Sequence, residues 1–248
     1  MDDLKWCINY LKEYNHINTL FDVNDFSTLR SLMNITMPYD LSCEYYQKQD
    51  NVLKELLSKK EIIDISSFKD GISLYKGDIT LLKADSIVNA CNNKMLGCFV
   101  PGHHCIDNAI HSFAGLQVRR DMMDIMDNQG HDEENGKCKV TKGYNLPSKY
   151  IFHTVGPIYS GTKQDEIDLT NCYLSCLKKA DEMNLESIVF CSLSTGIYGF
   201  PIEKASDIAI NTVKKYLKEE NKNIKKVVFD VFSEGDYNVY NRKLKEIN

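Results

Sequence analysis

Between Leu96 and Gln117 the chain reads LGCFVPGHHCIDNAIHSFAGLQ, which sets Cys98, His103, His104 and Cys105 within eight positions. Thiolate, imidazole and thiolate together suit zinc, and a tight turn at Pro101 and Gly102 lets ligands seven positions apart face one ion. Two thiolates, one neutral imidazole and a dication carry no net charge, so three ligands leave a fourth tetrahedral position for water or substrate. Only one histidine is needed, and the spacing leaves open which. Ile106, Ile110, Phe113 and Leu116 follow at helical spacing. Cys105 therefore falls in a first helical turn, where free backbone donors and the helix dipole lower a thiol pKa. The plain alternative is a buried cysteine pair beside two surface histidines.

Such a loop must be held by elements, and the chain supplies them from about Ile72 onward. Short apolar runs at 72–77, 86–91, 150–156, 187–193 and 226–232 predict strands, with 139–145 a weaker sixth. Amphipathic stretches predict helices at 105–127, 166–184 and 202–219. Near-continuous apolar strands alternating with helices imply a sheet covered on both faces, an α/β/α sandwich whose ligand crevice lies beyond the strands' carboxyl ends. Those ends are polar and glycine-bearing. Gly77, Asp78, Ile79 and Thr80 stand at the end of the first run, Asn89, Asn92 and Asn93 at that of the second, and Ser194, Thr195, Gly196, Ile197, Tyr198 and Gly199 follow the fourth. Consecutive amides in such a turn can cradle a diphosphate, although a glycine-bearing loop of this kind is more often only a turn.

Residues 1 to about 66 read as helical: Leu4, Cys7, Ile8 and Leu11 make a stripe, Asp25 can cap a segment holding Leu29, Leu32 and Met33, and 42–60 is rich in helix formers. They carry no evident chemistry and read as a structural cap on the following domain. Hydrophobic content of 43% and charged content of 26% suit a globular chain with a sizeable core, and no apolar run is long enough to cross a bilayer. The acidic, amphipathic N-terminus is no secretory signal, so a cytoplasmic location is expected. Nine cysteines, an odd count, predict reduced thiols, seven of them serving only packing. A net charge of −5 gives no basic footprint for nucleic acid, which points to a small anionic nucleotide or a modified protein as partner. A monomer is expected.

GDIT at 77–80, IVNACNN at 87–93, HTVGP at 153–157 and LSTGIYGFP at 193–201 resemble the macrodomain, an ADP-ribose-binding three-layer α/β/α module with a mixed central sheet. GCFVPGHHCIDNAIH resembles the zinc-containing microbial macrodomains that act as protein ADP-ribose hydrolases, and residues 30–50 resemble their helical extension. The resemblance implies an extension over 1–66 and a macrodomain over 67–248. It implies zinc on Cys98, His103 and Cys105, an adenine amine on Asp78 with a backbone contact from Ile79, Phe232 stacked on the adenine, the diphosphate on the 194–199 loop and the distal ribose against Asn92. Cys91 stands where alanine is commoner, and His104 sets a second imidazole beside the ligand.

The leading expectation is therefore a zinc-dependent hydrolase that removes ADP-ribose from mono-ADP-ribosylated side chains. In it Asn92 orients the sugar, and Asp107 relays a proton or organises the groups behind the metal. The competing one is a non-catalytic ADP-ribose reader with structural zinc, which the open coordination position disfavours. A nucleobase deaminase would need a His-x-Glu segment and a separate Cys-x-x-Cys pair, and the chain has neither.

Overall fold

A computed structural model describes residues 3–18 and 25–247. Three helices come first: α1 (Asp3–Tyr14), α2 (Phe26–Ile35) and α3 (Cys43–Ser58). The second and third begin where a side chain takes up a free backbone donor. Asp25 accepts from the Thr28 amide and Ser42 from that of Tyr45. Cys7, Ile8, Leu11, Leu29, Met33, Val52 and Leu53 close a small core between them, which Leu116 of the following domain joins. Helix stops short of the expected residue 66. The apolar pair Ile62 and Ile63 favours extended chain, and β1 (Ile63–Asp64) lies parallel to β3 (Leu82–Lys83). The helical reading of 19–24 lies outside the described residues.

The larger sheet holds β2 (Gly71–Lys76), β4 (Ser86–Cys91), β5 (Cys138–Lys142), β6 (Tyr150–Val155), β7 (Ser187–Phe190) and β8 (Lys226–Val231). Their spatial order is β2-β8-β7-β4-β6-β5, parallel throughout except for β5, which runs antiparallel at the edge. The pleat sorts the faces. Phe190 and Phe229 meet Tyr173 of α6 (Lys163–Glu182), and Phe229 also meets Tyr240 of α8 (Glu234–Ile247). Val88 is in register with Phe190, so its neighbour Asn89 points to the other face, onto Asp107 of α4 (Ile106–Ala114). Thus α6, α7 (Ile202–Glu219) and α8 cover one side, and α4 with α5 (Leu116–Gln129) the other. This is the expected α/β/α sandwich with a mixed sheet.

Two expectations need correction. The single helix over 105–127 is two, broken at Gly115, whose φ of 104° lies outside the helical range. The 187–193 strand ends at Phe190, because the chain there leaves both neighbours to begin the turn carrying Thr195. None of the nine cysteines is in a disulfide, and Cys7, Cys91, Cys172, Cys176 and Cys191 are buried as expected of packing residues; Cys43, at the exposed start of α3, is not.

Candidate active site

The Cys98–Cys105 loop begins and ends under strict backbone control. Gly97 has φ +83°, and a Cβ there would stand 2.9 Å from the His111 ring, so only glycine fits. Beyond it the predicted turn is present: the His103 amide donates to Val100 O at 3.2 Å, with Gly102 at φ +64°. The turn brings ligand atoms of Cys98, His103 and Cys105 all within 4.8 Å of one another, with Cys98 Sγ and His103 Nδ1 3.7 Å apart. His104 is exposed and outside this group. Tetrahedral zinc with bonds of about 2.0–2.3 Å sets its ligands roughly 3.3–3.8 Å apart, so this donor set can hold the ion with small adjustments.

Cys105 is the residue that caps α4, its sulfur accepting the Asn108 amide at 3.4 Å. The expected lowering of its pKa is overruled. Burial pushes the metal-free thiol up to about 12, the Asn108 N–H pulls it the other way, and Cys98 and Asp107 add to the rise. Only a cation bound beside it would reverse that balance.

Behind the loop lies a buried polar cluster that residue spacing did not reveal. Asp107, 5% exposed, accepts from Asn89 Nδ2 at 2.8 Å and lies 3.5 Å from His111 Nε2. Burial raises its carboxyl to about 6, partly offset by Asn89 and by Arg119. Asn89 also meets His153 Nδ1 at 3.2 Å, and Thr141 meets His153 Nε2 at 2.9 Å. Both histidines are buried and held neutral by that burial. Their rings pack edge to face with centroids 5.7 Å apart, His111 on α4 and His153 on β6. The one available signal was the polar Asn89 and His153 inside otherwise apolar strands.

The remaining expected residues ring the carboxyl ends of the strands. Asp78 caps the 3-10 turn Ile79–Leu81, its Oδ1 accepting from Thr80 N at 2.9 Å and Thr80 Oγ1 at 2.6 Å. Ile79 is buried beside it. Asn92 spans the site's floor, donating to Gly97 O at 3.2 Å and accepting from Lys94 N at 3.0 Å. Ser194 and Gly199 take left-handed backbone, at φ 62° and 67°, and the loop between them is closed by Gly199 N to Gly196 O and Phe200 N to Ser194 O, both 3.0 Å. Thr195 is tied to Ser192 at 2.8 Å, Tyr198 is half-buried, and Ile197 is 77% exposed at the rim. Gly156 admits this loop: a Cβ there would lie 2.1 Å from Ser194 Oγ. Phe232, 86% exposed, stands just past β8.

One further residue escaped the sequence reading. Asp230, buried one step below Phe232's side of β8 and in register with Tyr75, has an Oδ1 without a hydrogen-bond partner. Burial, and then the nearby Asp78 carboxylate, raise its carboxyl to about 8. Below that pH it is a neutral acid.

At the carboxyl ends of this mixed α/β/α sandwich stand Asp78, Asn92, the 194–199 turn and the exposed ring of Phe232. The Macro domain family model matches residues 88–209, and the chain belongs to that family. A protein-ADP-ribose hydrolase of Staphylococcus aureus is 43% identical over 249 residues, covering 96% of this chain and 93% of the relative. One from Treponema medium is 46% identical over 223 residues, covering 86% and 85%. Among solved structures, the Trypanosoma brucei macrodomain in complex with ADP-ribose superposes with a TM-score of 0.67 at 30% identity, covering 86% of this chain and 94% of its own.

Proposed function

We propose that the protein is a zinc-dependent hydrolase that removes ADP-ribose from mono-ADP-ribosylated protein side chains. The observation that carries the zinc half of this reading is the convergence of Cys98, His103 and Cys105 within 4.8 Å, three donors where a structural site would use four. The hydrolase half is supported by relatives bearing that name across almost the whole chain.

Each part of ADP-ribose then has a partner. Asp78 keeps one oxygen on Thr80 and presents the other to the adenine amine, for which an acceptor-only carboxylate is suited. Phe232 offers a free face for stacking. The 194–199 turn aims backbone amides at the diphosphate. Asn92 ties the end of β4 to Gly97, so the group that meets the distal ribose also fixes the start of the ligand loop. Asp107 is too buried to touch the sugar, and its bond to Asn89 favours the role of organiser of α4's first turn over proton relay. Zinc held by Cys98, His103 and Cys105 would supply a Lewis acid beside the distal ribose, and the overall reaction exchanges the modified side chain on the ribose for the hydroxyl of water, the side chain leaving with the proton.

The test separates binding from turnover, because a contribution made in the transition state lowers rate more than affinity. ADP-ribose affinity and its release from aspartate-, glutamate-, serine- and arginine-modified proteins are measured for wild type, Cys105→Ser and Asn92→Ala. Both variants are expected to bind ADP-ribose, and Asn92→Ala to lose about 100-fold or more in rate through lost positioning. No release on any linkage by folded, zinc-loaded wild type would favour the reader. Full activity of folded, metal-free Cys105→Ser would leave zinc without a catalytic role.

A further inference from the structure

The N-terminal helices touch the ligand loop far more closely than a cap needs to. Arg30 and Asn34, one turn apart on α2, both reach it. Arg30 Nη2 donates to the carbonyl of His103 at 3.0 Å and to Asn108 Oδ1 at 2.7 Å, while its Nε donates to Asn108 Oδ1 at 3.1 Å and Ser112 Oγ at 3.2 Å. Asn34 Oδ1 accepts the amide of Gly102 at 2.9 Å, and its Nδ2 donates to Ser112 Oγ at 3.0 Å. Asn108 returns the grip, its Nδ2 on Val100 O at 3.0 Å and its amide on Cys105 Sγ. The Gly102 amide, the His103 carbonyl and Asn108, the residue that holds Cys105, are thus all fastened to α2.

A second anchor works in the opposite direction. The Arg119 side chain, 1% exposed, donates Nη1 to the carbonyls of Met33, Asn34 and Thr36 at 2.6–2.9 Å, capping the end of α2, and donates Nε to Leu96 O at 2.7 Å, just before the loop. Phe99, inside the loop, lies over its guanidinium at 4.3 Å.

We propose that the N-terminal helices form part of the metal centre itself, with Arg30 and Asn34 as positioning residues that hold the 98–105 loop in its ligating shape. This rests on the zinc reading given above. The loop has no helix or strand of its own between Cys98 and Cys105; unanchored, it would have to be ordered when the ion binds, and the anchors order it beforehand. They act on peptides beside the ligands and touch neither ion nor substrate.

The full chain is used throughout. Zinc Kd is measured by competition with a chromophoric chelator, and site geometry by the visible absorption of the cobalt-substituted protein, for wild type, Arg30→Met, Arg30→Lys, Asn34→Ala and Leu11→Ala. Arg30→Met keeps an unbranched apolar stem and removes the donors, together with the guanidinium that lies 5.9 Å over the Phe113 ring. Loss of a group that orients metal ligands weakens metal by about 10- to 100-fold, so Arg30→Met and Asn34→Ala are expected to raise Kd by that factor and to alter the cobalt bands, with partial rescue in Arg30→Lys. Leu11→Ala, in the helices' own core and away from the loop, is expected to lower the urea midpoint yet keep the wild-type Kd. Wild-type Kd in both folded clamp variants, or equal weakening in Leu11→Ala, overturns the proposal alone. A wild type that binds no zinc removes the metal reading and the proposal with it. Coupling is reciprocal, so zinc added to wild type must also slow amide exchange in α2. Unchanged exchange there is a further refutation that needs no variant.

Discussion

At the scale of single residues, the ligand set makes the sharpest prediction. Elemental analysis is expected to find one zinc per chain in wild type and His104→Ala and none in Cys98→Ser or Cys105→Ser; metal kept by both serine variants would move the site elsewhere. Asp78→Ala is expected to weaken ADP-ribose by about 1–3 kcal/mol, read by calorimetry, through the lost amine contact. Asp230 carries a pH signature. Its carboxyl titrates near 8 in the folded chain, against an ordinary aspartate value of 3.8, with burial first and Asp78 second as causes. The folded state therefore binds the proton more tightly, and this contribution to stability is complete at pH values below the unfolded pKa and is lost as pH rises through about 8. The wild-type urea midpoint is expected to fall over that window relative to Asp230→Asn, and parallel pH curves for the two would refute the assignment. The convergence of Cys98, His103 and Cys105 was legible in their spacing. Chemistry created by burial was visible only in part: Asn89 and His153 stand out as polar letters inside apolar strands, but no letter says that Asp230 is left without a partner or that burial at Cys105 outweighs one backbone donor.

At the scale of elements, apolar runs fixed most strands to within a residue or two, because a strand buried on both faces has few places for polar side chains. Boundaries failed where a neighbour decided them. Gly115 splits α4 from α5 beneath α3, and a Cβ on it would stand 2.5 Å from Gln49 Nε2 and Gln117 Oε1. Gln49 in turn accepts the Leu116 amide at 2.9 Å and donates to Gln117 at 2.8 Å. The kink is the seat on which the third helix docks. Gly115→Ala is expected to lower unfolding free energy by about 1–3 kcal/mol, through positive-φ strain and the displaced glutamine, measured as a urea midpoint. A midpoint equal to wild type would mean that the helices dock without this kink.

At the scale of the molecule, the sequence disclosed a sandwich and an appended helical segment, but not that the segment grips the loop, since Arg30 and Asn34 are far from 98–105 along the chain. Ligand at about 100 times Kd is expected to stabilise the whole fold by about 2.7 kcal/mol, visible as a higher Tm, and no shift would mean that ADP-ribose does not select the folded crevice. The sheet order has a consequence in time. β8 lies between β2 and β7, so the strand leading to Asp78 stays unpaired along that edge until nearly the entire chain has been synthesised. The 98–105 loop and the helices bonded to it emerge from the ribosome well before the strand that carries Asp230 and leads to Phe232. A nascent chain released before residue 226 would thus hold Cys98, His103 and Cys105 while lacking the strand that carries Asp230, and its exposed β2 and β7 edges would invite pairing with other chains.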